Sequence, residues 1–432
     1  FQDLALGESE TVTFSYEVTD GIAVVPTTAV FTIEGRNDAP EVTGAVDLQL
    51  ATSGTPYALT LDPGLFTDID ASDGLTLSAA QANGDALPAW LSFTPGTGAF
   101  AGTTPTDAGL IRITVTATDP HGAEADTSFW LAYASDALIG TRDGDSLNGT
   151  NATEILLGLA ENDSLTGGRG DDIYIIREGE GIDVIDENGI GSTDRLLLSD
   201  LTLAEVELDR LTPGGMDLVI RRNGEILAIV ENTLNGTVAD FVEELIFEDG
   251  TVLSIEDIRD IILAQEQTTA DDRSFGFNGN QSLDMGEGDD YVRGAAGSDT
   301  YIYTSGDGAD VIEDDGFASI DVLQFTDYAS TDAALRADPR SLGNLIIDFG
   351  NGDSVTLIDA INGSASNEIE RIVFDGDGMM LFPEDVRQIL ITQSQTAGDD
   401  VILGYDVGTD TLEGGLGNDY LSGGRSSDIY LF

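Results

Sequence analysis

Gly167-Gly168-Arg169-Gly170-Asp171-Asp172-Ile173-Tyr174 fits the nonapeptide pattern G-G-x-G-x-D-x-U-x, in which U is apolar. Upstream, acidic residues recur every nine positions at Asp145, Glu154, Asp163 and Asp172. An apolar residue stands two places after each (Leu147, Leu156, Leu165, Tyr174) and a glycine five places before (Gly140, Gly149, Gly158, Gly167). Three aligned columns over four repeats are not an accident of composition. The block returns twice: at Asp272, Gln281, Asp290 and Asp299, with Leu283, Val292 and Tyr301, and at Asp400, Asp410, Asp419 and Asp428, with Ile402, Leu412, Leu421 and Tyr430. One extra residue interrupts the last series between Gly404 and Asp410.

A longer period runs through the whole region. Tyr174 and Tyr301 are 127 residues apart, and residues 177–189, REGEGIDVIDENG, match 304–316, TSGDGADVIEDDG, at the same offset. Leu245-Ile246-Phe247 matches Ile372-Val373-Phe374 likewise. Each intervening segment holds further alternating strands and closes on a short amphipathic helix. In the first, Ser254 is the N-cap before Ile255, Ile258, Ile261 and Ile262; in the second, Pro383 opens the first turn before Val386, Ile389 and Leu390.

The nonapeptide has a chemical logic. Glycines at its first, second and fourth places, among them Gly167, Gly170, Gly288, Gly297, Gly414 and Gly417, let the backbone turn its carbonyls toward a common point. The sixth place adds a carboxylate. Ca²⁺ takes six to eight oxygens at flexible angles, whereas Mg²⁺ demands stricter geometry and keeps its waters, so Ca²⁺ is the expected ion. Two nonapeptides make one coil of a parallel β-roll, so residues 18 apart stack at the strand spacing of about 4.8 Å. Each ion is then shared by Asp145 and Asp163, or by Glu154 and Asp172. The corresponding ligands are Asp272, Gln281, Asp290 and Asp299, then Asp400, Asp410, Asp419 and Asp428. Solvated acidic loops are the plain alternative, but stacked carboxylates without a cation repel, and each coil buries too little apolar surface to offset that.

Composition points the same way. The 432 residues contain 80 Asp plus Glu against 17 Lys plus Arg, a net charge of −63, which excludes nucleic acid and disfavours an anionic membrane surface. Hydrophobic residues are nonetheless 41% of the chain, enough for packed cores and, at this length, about three domains. Cysteine and lysine are both absent, which removes disulfides, thiolate sites, Schiff bases and a P-loop. The single histidine, His121, sits in the turn Asp119-Pro120-His121-Gly122 without a G-x-S-x-G or H-E-x-x-H partner motif, so no enzyme activity is expected. There is no apolar run of membrane-spanning length, and the opening Phe1-Gln2-Asp3 reads as a fragment of something longer.

Ahead of the repeats, residues 11–18 and 29–33 read as strands joined at Asp20-Gly21, the end of a β domain over 1–36. A second β-rich stretch over 37–136 carries turn signals at Asp73-Gly74, Pro95-Gly96 and His121-Gly122, with Trp90, Phe93, Phe100, Phe129 and Trp130 as its expected core. Asn37 and Asp38 in the linker, Asp68 and Asp70 on one side of an alternating pair, and Asp119 after a strand are candidate ligands for a junction ion.

The repeats resemble the repeats-in-toxin family of secreted, haemolysin-type calcium-binding proteins over about 137–432, including Gly414-Gly415-Leu416-Gly417-Asn418-Asp419-Tyr420-Leu421. Glu154, Gln281 and Met285 depart from its pattern. Residues 1–36 resemble the end of a VCBS-type repeat. Residues 39–133 resemble a dystroglycan-type cadherin-like domain through LPAWLSF (87–93), TGAFAGT (97–103) and ITVTATD (113–119). The resemblance implies type I secretion and folding triggered by extracellular calcium, with any catalysis in a separate domain. The expected fold is mainly β: a cadherin-like β-sandwich, then calcium-binding parallel β-rolls alternating with β-rich segments that each end in a short helix. The expected divisions are 1–36, 37–136, 137–265, 266–393 and 394–432. The expected role is a calcium-dependent extracellular scaffold or adhesion segment of a large bacterial surface protein. The alternatives are a non-catalytic region of a secreted enzyme or toxin, or a polysaccharide-binding module. Expected partners are calcium ions, with surface glycans or neighbouring copies of the chain as further candidates, and with neither nucleic acid nor membrane insertion.

Overall fold

The computed structural model describes all residues except 2, 71, 190–191, 236–240, 315–318, 362–368 and 432, and the side chain of residue 342. Two compact units emerge: one comprises residues 1–206, 222–228 and 238–252, the other 207–221, 229–237 and 253–432.

In the first unit, Ser9–Thr19 and Val24–Glu34 pair antiparallel in full register. Asp20 sets the turn, its Oδ1 accepting the Ile22 and Ala23 N–H groups at 2.9 and 2.8 Å, with Gly21 at φ 90°. Phe14 and Phe31 meet edge to face at 5.7 Å, yet each is 56% exposed, so this hairpin has no core of its own. A β-sandwich follows. One sheet joins Gln49–Thr52, Glu124–Ala134, Gly109–Thr118 and Thr76–Gln81; the other joins Pro56–Thr60, Ala99–Thr103 and Leu91–Thr94. Phe100 and Phe129 fill its core with Tyr57, Ile113, Val115 and Leu131, and Trp90 and Phe93 pack against it, as expected.

Trp130 departs from expectation. Strand residues alternate faces, so Phe129, Leu131 and Tyr133 enter the sandwich while Trp130, Ala132 and Ala134 turn the other way. They are buried against Ile155, Leu157, Ile173, Ile175, Leu197 and Ile246 of the first roll. The sandwich and the roll therefore share an apolar seam.

The first roll has the expected eighteen-residue register: Leu147 lies beside Leu165, and Ile155 beside Ile173, in parallel pairs. The coil does not stop at the last nonapeptide. Ile185 pairs beside Leu165 and Leu196 beside Tyr174, so the following strands Asp183–Ile185 and Arg195–Leu198 extend the two sheets through longer turns. Glu244–Phe247 adds a further parallel strand beside Arg195–Leu198. Leu156, Leu165, Tyr174, Ile185 and Leu196 form the interior, none more than 1% exposed.

The second unit repeats the plan. Asp284 and Ile302, then Tyr303 and Phe325, then Phe325 and Phe374 are register partners in one sheet; Val292, Ile312 and Leu357 follow one another in the other. Phe325 lies 4.9 Å from Phe374, 5.0 Å from Phe349 and 5.5 Å from Tyr303, an aromatic core for the segment after the repeats. Helix α1 (Ile255–Glu266) begins as expected: Ser254 Oγ accepts the Asp257 N–H at 3.2 Å and the Asp257 carboxylate accepts the Ser254 N–H at 2.9 Å. Its buried face is Ile255, Ile258, Ile262 and Leu263, with Ile261 only half-buried. Helix α2 (Pro383–Gln393) buries Val386 and Ile391, leaving Ile389 and Leu390 half-buried. In the third block Val401–Leu403 pairs with Tyr420–Ser422 and Thr411–Glu413 with Ile429–Leu431, around the fully buried Ile402 and Leu412.

Candidate metal centre

The sixth-place residues stack into two ladders per roll. The Asp145 N–H donates to Asp163 Oδ1 at 2.6 Å, and the Glu154 N–H to Asp172 Oδ1 at 2.7 Å. In the second roll the Asp272 N–H donates to Asp290 at 2.7 Å and the Gln281 N–H to Asp299 at 2.8 Å. The third roll joins Asp400 to Asp419 at 2.9 Å and Asp410 to Asp428 at 3.2 Å, the first pair one residue wider because of the extra residue. Every expected pair is thus brought together. One carboxylate oxygen of each lower residue holds the backbone of the turn above, which leaves the other for a different partner.

For Asp163, Asp172 and Asp290 that second oxygen, Oδ2, is buried and accepts no hydrogen bond. A buried carboxylate oxygen without a donor is costly, so these atoms fit a cation as their partner. The glycines frame the same space. Gly168 and Gly417 take φ 97° and 132°, as a turn of inward-facing carbonyls requires. Gly167, Gly158 and Gly414 do something else: a Cβ there would strike Asp172, Asp163 and Asp419 Oδ2 respectively. The first-place glycine therefore keeps room for the carboxylate, which corrects the expectation that it serves backbone conformation. Gly170, Gly288 and Gly297 are closed in by carbonyls of the preceding coil, those of Ala152, Ala270 and Gly279.

The ladders are longer than the nonapeptides. The Asp163 N–H donates to Asp183 Oδ1 at 3.0 Å and the Asp290 N–H to Asp310 Oδ1 at 2.8 Å, across twenty residues. The Asp172 N–H donates to Asp194 at 2.8 Å and the Asp299 N–H to Asp321 at 2.7 Å, across twenty-two. Sequence reasoning missed these four. For Asp183 and Asp310 the signal is in Gly179-Glu180-Gly181-Ile182-Asp183 and Gly306-Asp307-Gly308-Ala309-Asp310, the G-x-G-x-D portion of the repeat in a wider frame. Burial dominates the electrostatics of Asp172, Asp183 and Asp310: it pushes Asp172 and Asp310 up to about 8 and Asp183 to about 7, with neighbouring carboxylates adding to the effect.

Gln281 occupies its place differently. Its Oε1 accepts the Phe277 N–H at 3.0 Å and its Nε2 donates to the Gly279 carbonyl at 2.5 Å. An amide donor thus meets a carbonyl that a cation would otherwise polarise. Calcium affinity follows ligand charge, so Gln281→Asp is expected to tighten binding at limiting calcium and change little at saturation. Calorimetric titrations showing identical stoichiometry and affinity would remove position six as the ligand of that turn.

A separate cluster lies on the sandwich. Asn37 Nδ2 donates to Asp119 Oδ2 at 2.8 Å, and the Asp38 N–H donates to Asp70 Oδ2 at 2.9 Å. Asp38 itself is exposed and contributes its backbone, not its carboxylate. Asp73, not among the expected ligands, stands in place of Asp38: carboxylate oxygens of Asp68, Asp73 and Asp119 lie within 4.8 Å of one another. Asn37 Oδ1, Asp68 Oδ2 and Asp70 Oδ1 are all buried and accept no hydrogen bond. Burial raises the Asp119 carboxyl, but donors from Asn37, Ala123, His121 and Gly122 outweigh it and hold the group below its ordinary range. His121 Nδ1 lies 3.3 Å from Asp73.

Comparison with known proteins agrees with this chemistry. The RTX calcium-binding nonapeptide repeat (4 copies) matches residues 148–185, 275–312 and 405–431, and the Putative Ig domain matches 39–134. No curated protein matches the chain. Among solved structures, the extracellular lipase LipA from Serratia marcescens is similar at 16% identity and a TM-score of 0.21, over 56% of this chain and 44% of that one. This chain thus spans less than half the length of that protein. Among the described residues, no helix is long and apolar enough to cross a membrane. The nonapeptide repeats bind Ca²⁺, and together with the Ig-like domain they mark a calcium-binding region of a type I secreted protein.

Proposed function

We propose that this chain is a calcium-dependent extracellular scaffold or adhesion segment of a large secreted bacterial surface protein, folding on calcium after type I secretion. The observation that carries the reading is the carboxylate ladders of the rolls, whose buried, undonated Asp163, Asp172 and Asp290 Oδ2 atoms suit a cation. Sixth-place residues from Asp145 to Asp428 are its ligands, with carbonyls from the turn glycines. In cytosol, where calcium is scarce, a chain of net charge −63 stays expanded and exportable. Outside, calcium at about 10⁻⁴ to 10⁻³ M binds the folded state alone and stabilises it by mass action. The segment acts through its shape, not through catalysis; its histidine sits beside Asp73, where it can shape the local charge but faces no nucleophile in that contact.

The proposed divisions are the end of a VCBS-type sandwich over 1–36, a cadherin-like sandwich over 37–136, two roll-plus-insert units over 137–265 and 266–393, and a third roll over 394–432. The buried, undonated oxygens of Asn37, Asp68 and Asp70 support a further calcium site at the start of the sandwich. Beyond calcium, the proposed partners are surface glycans or neighbouring copies of the chain. Calcium titration followed by circular dichroism tests the reading. The wild type gains β structure, and Asp68→Ala with Asp73→Ala loses the sandwich ion while keeping that gain. A wild type whose spectrum ignores calcium contradicts the assignment.

A further inference from the structure

Where each roll passes into the segment after it, three buried carboxylates converge. Asp172, Glu187 and Asp194 are each no more than 1% exposed and present oxygens within 4.8 Å of one another. Every oxygen but one has a donor. Asp172 Oδ1 accepts the Glu154 N–H at 2.7 Å, Asp194 Oδ1 the Asp172 N–H at 2.8 Å, and Asp194 Oδ2 the Ser192 hydroxyl at 2.9 Å. Glu187 Oε1 accepts the Gly189 N–H at 2.6 Å and Oε2 the Tyr174 hydroxyl at 2.5 Å. Asp172 Oδ2 is buried and accepts nothing. It points into the cluster: a Cβ on Gly167 would meet Asp172 Oδ2, Glu187 Oε2 and the Tyr174 hydroxyl together.

Among the described residues, little compensating charge reaches the cluster: Arg195 lowers Asp194 only as a minor contribution after burial. Arg195, next in the chain, is committed to Glu244 at 2.9 Å. Three carboxylates in so small a buried space need either protons or a cation to coexist. The arrangement is also built twice. Asp299, Asp314 and Asp321, each 127 residues further on, are equally buried and lie within 4.8 Å of one another. Tyr301 donates to Asp314 at 2.8 Å and Ser319 to Asp321 at 2.8 Å, as Tyr174 and Ser192 do in the first copy. Glu187 has become Asp314 without loss of the three-carboxylate geometry. A charge arrangement preserved while its side chain changes length points to a ligand of fixed preference.

We propose that the first two rolls each end in a calcium site beyond the last nonapeptide, in which the sixth-place Asp172 is joined by Glu187 and Asp194, and Asp299 by Asp314 and Asp321, with a tyrosine hydroxyl steadying the middle carboxylate. The signature is D-x-Y, then Glu or Asp thirteen residues after the tyrosine, then Asp seven further on. This rests on the calcium reading of the repeats and extends it. Asp194 leads directly into Arg195–Leu198, the strand that links Ile173–Ile176 to Glu244–Phe247. An ion at this point fastens the segment after the repeats to the roll, so the calcium signal reaches residues that carry no nonapeptide.

The full chain carrying Glu187→Gln and Asp314→Asn tests the proposal, because both changes remove charge and keep shape. Equilibrium dialysis with calcium is expected to show two fewer bound ions than the wild type, while calcium still induces β structure through the nonapeptides. An unchanged ion count overturns the proposal and leaves the nonapeptide reading intact; a wild type that binds no calcium overturns that reading as well. Should the double variant fail to fold, Tyr174→Phe with Tyr301→Phe decides the matter with terbium as probe. Loss of the phenols beside the ions is expected to lower tyrosine-sensitised terbium emission well beyond the share of two tyrosines among the eleven in the chain. A loss no greater than that share overturns the proposal.

Discussion

Acidification from about pH 8 to about pH 6 is expected to weaken calcium binding to the folded chain on the order of 100-fold for each proton the ion must displace. Burial and neighbouring carboxylates push Asp172 and Asp310 up to about 8 in the calcium-free fold, so both hold protons through much of this range. Calcium competes with those protons. Without calcium the sign reverses. A folded-state value raised above the ordinary 3.8 adds stability that is complete below about pH 4 and is lost as the pH climbs through about 8. Thermal melts by circular dichroism should therefore cross: the calcium-free chain melts higher in acid, and the loaded chain melts higher near neutrality. Parallel trends in both states would mean that these carboxylates neither share protons nor meet the ion.

Phe325→Ala is expected to destabilise the calcium-loaded second unit by about 3–5 kcal/mol, the usual cost of emptying a large aromatic site. Phe325 is fully buried and touches the rings of Tyr303, Phe349 and Phe374. Calcium cannot compensate, because the loss lies in packing and not in charge. Urea unfolding at saturating calcium measures the effect; a shift below about 1 kcal/mol would show that the ladders alone hold the strands beyond the repeats.

The roll was legible because its chemistry is periodic. A nine-residue spacing of acid, apolar residue and glycine fixes which side chains stack, and the pairs Asp145–Asp163 and Asp272–Asp290 followed from arithmetic. Asp183 and Asp310 escaped because the turn before them is longer, although their glycines were in view. Glu187 and Asp194 were harder still. Their meeting with Asp172 depends on where a wider coil returns, and no short-range pattern encodes that. Trp130 was misplaced by counting aromatics without following the alternation of its strand, in which Phe129 and Leu131 own the sandwich face. Asp73 was hidden by its own turn: Asp-Gly is a common bend, and only the fold shows that its carboxylate stands beside Asp68 and Asp119.

Small-angle X-ray scattering of the full chain, first in chelator and then in millimolar calcium, tests the central claim most directly. At a net charge of −63 the calcium-free chain should be expanded at neutral pH, and calcium should collapse it to the compact dimensions of folded domains. A radius of gyration that is the same in both conditions would contradict calcium-driven folding.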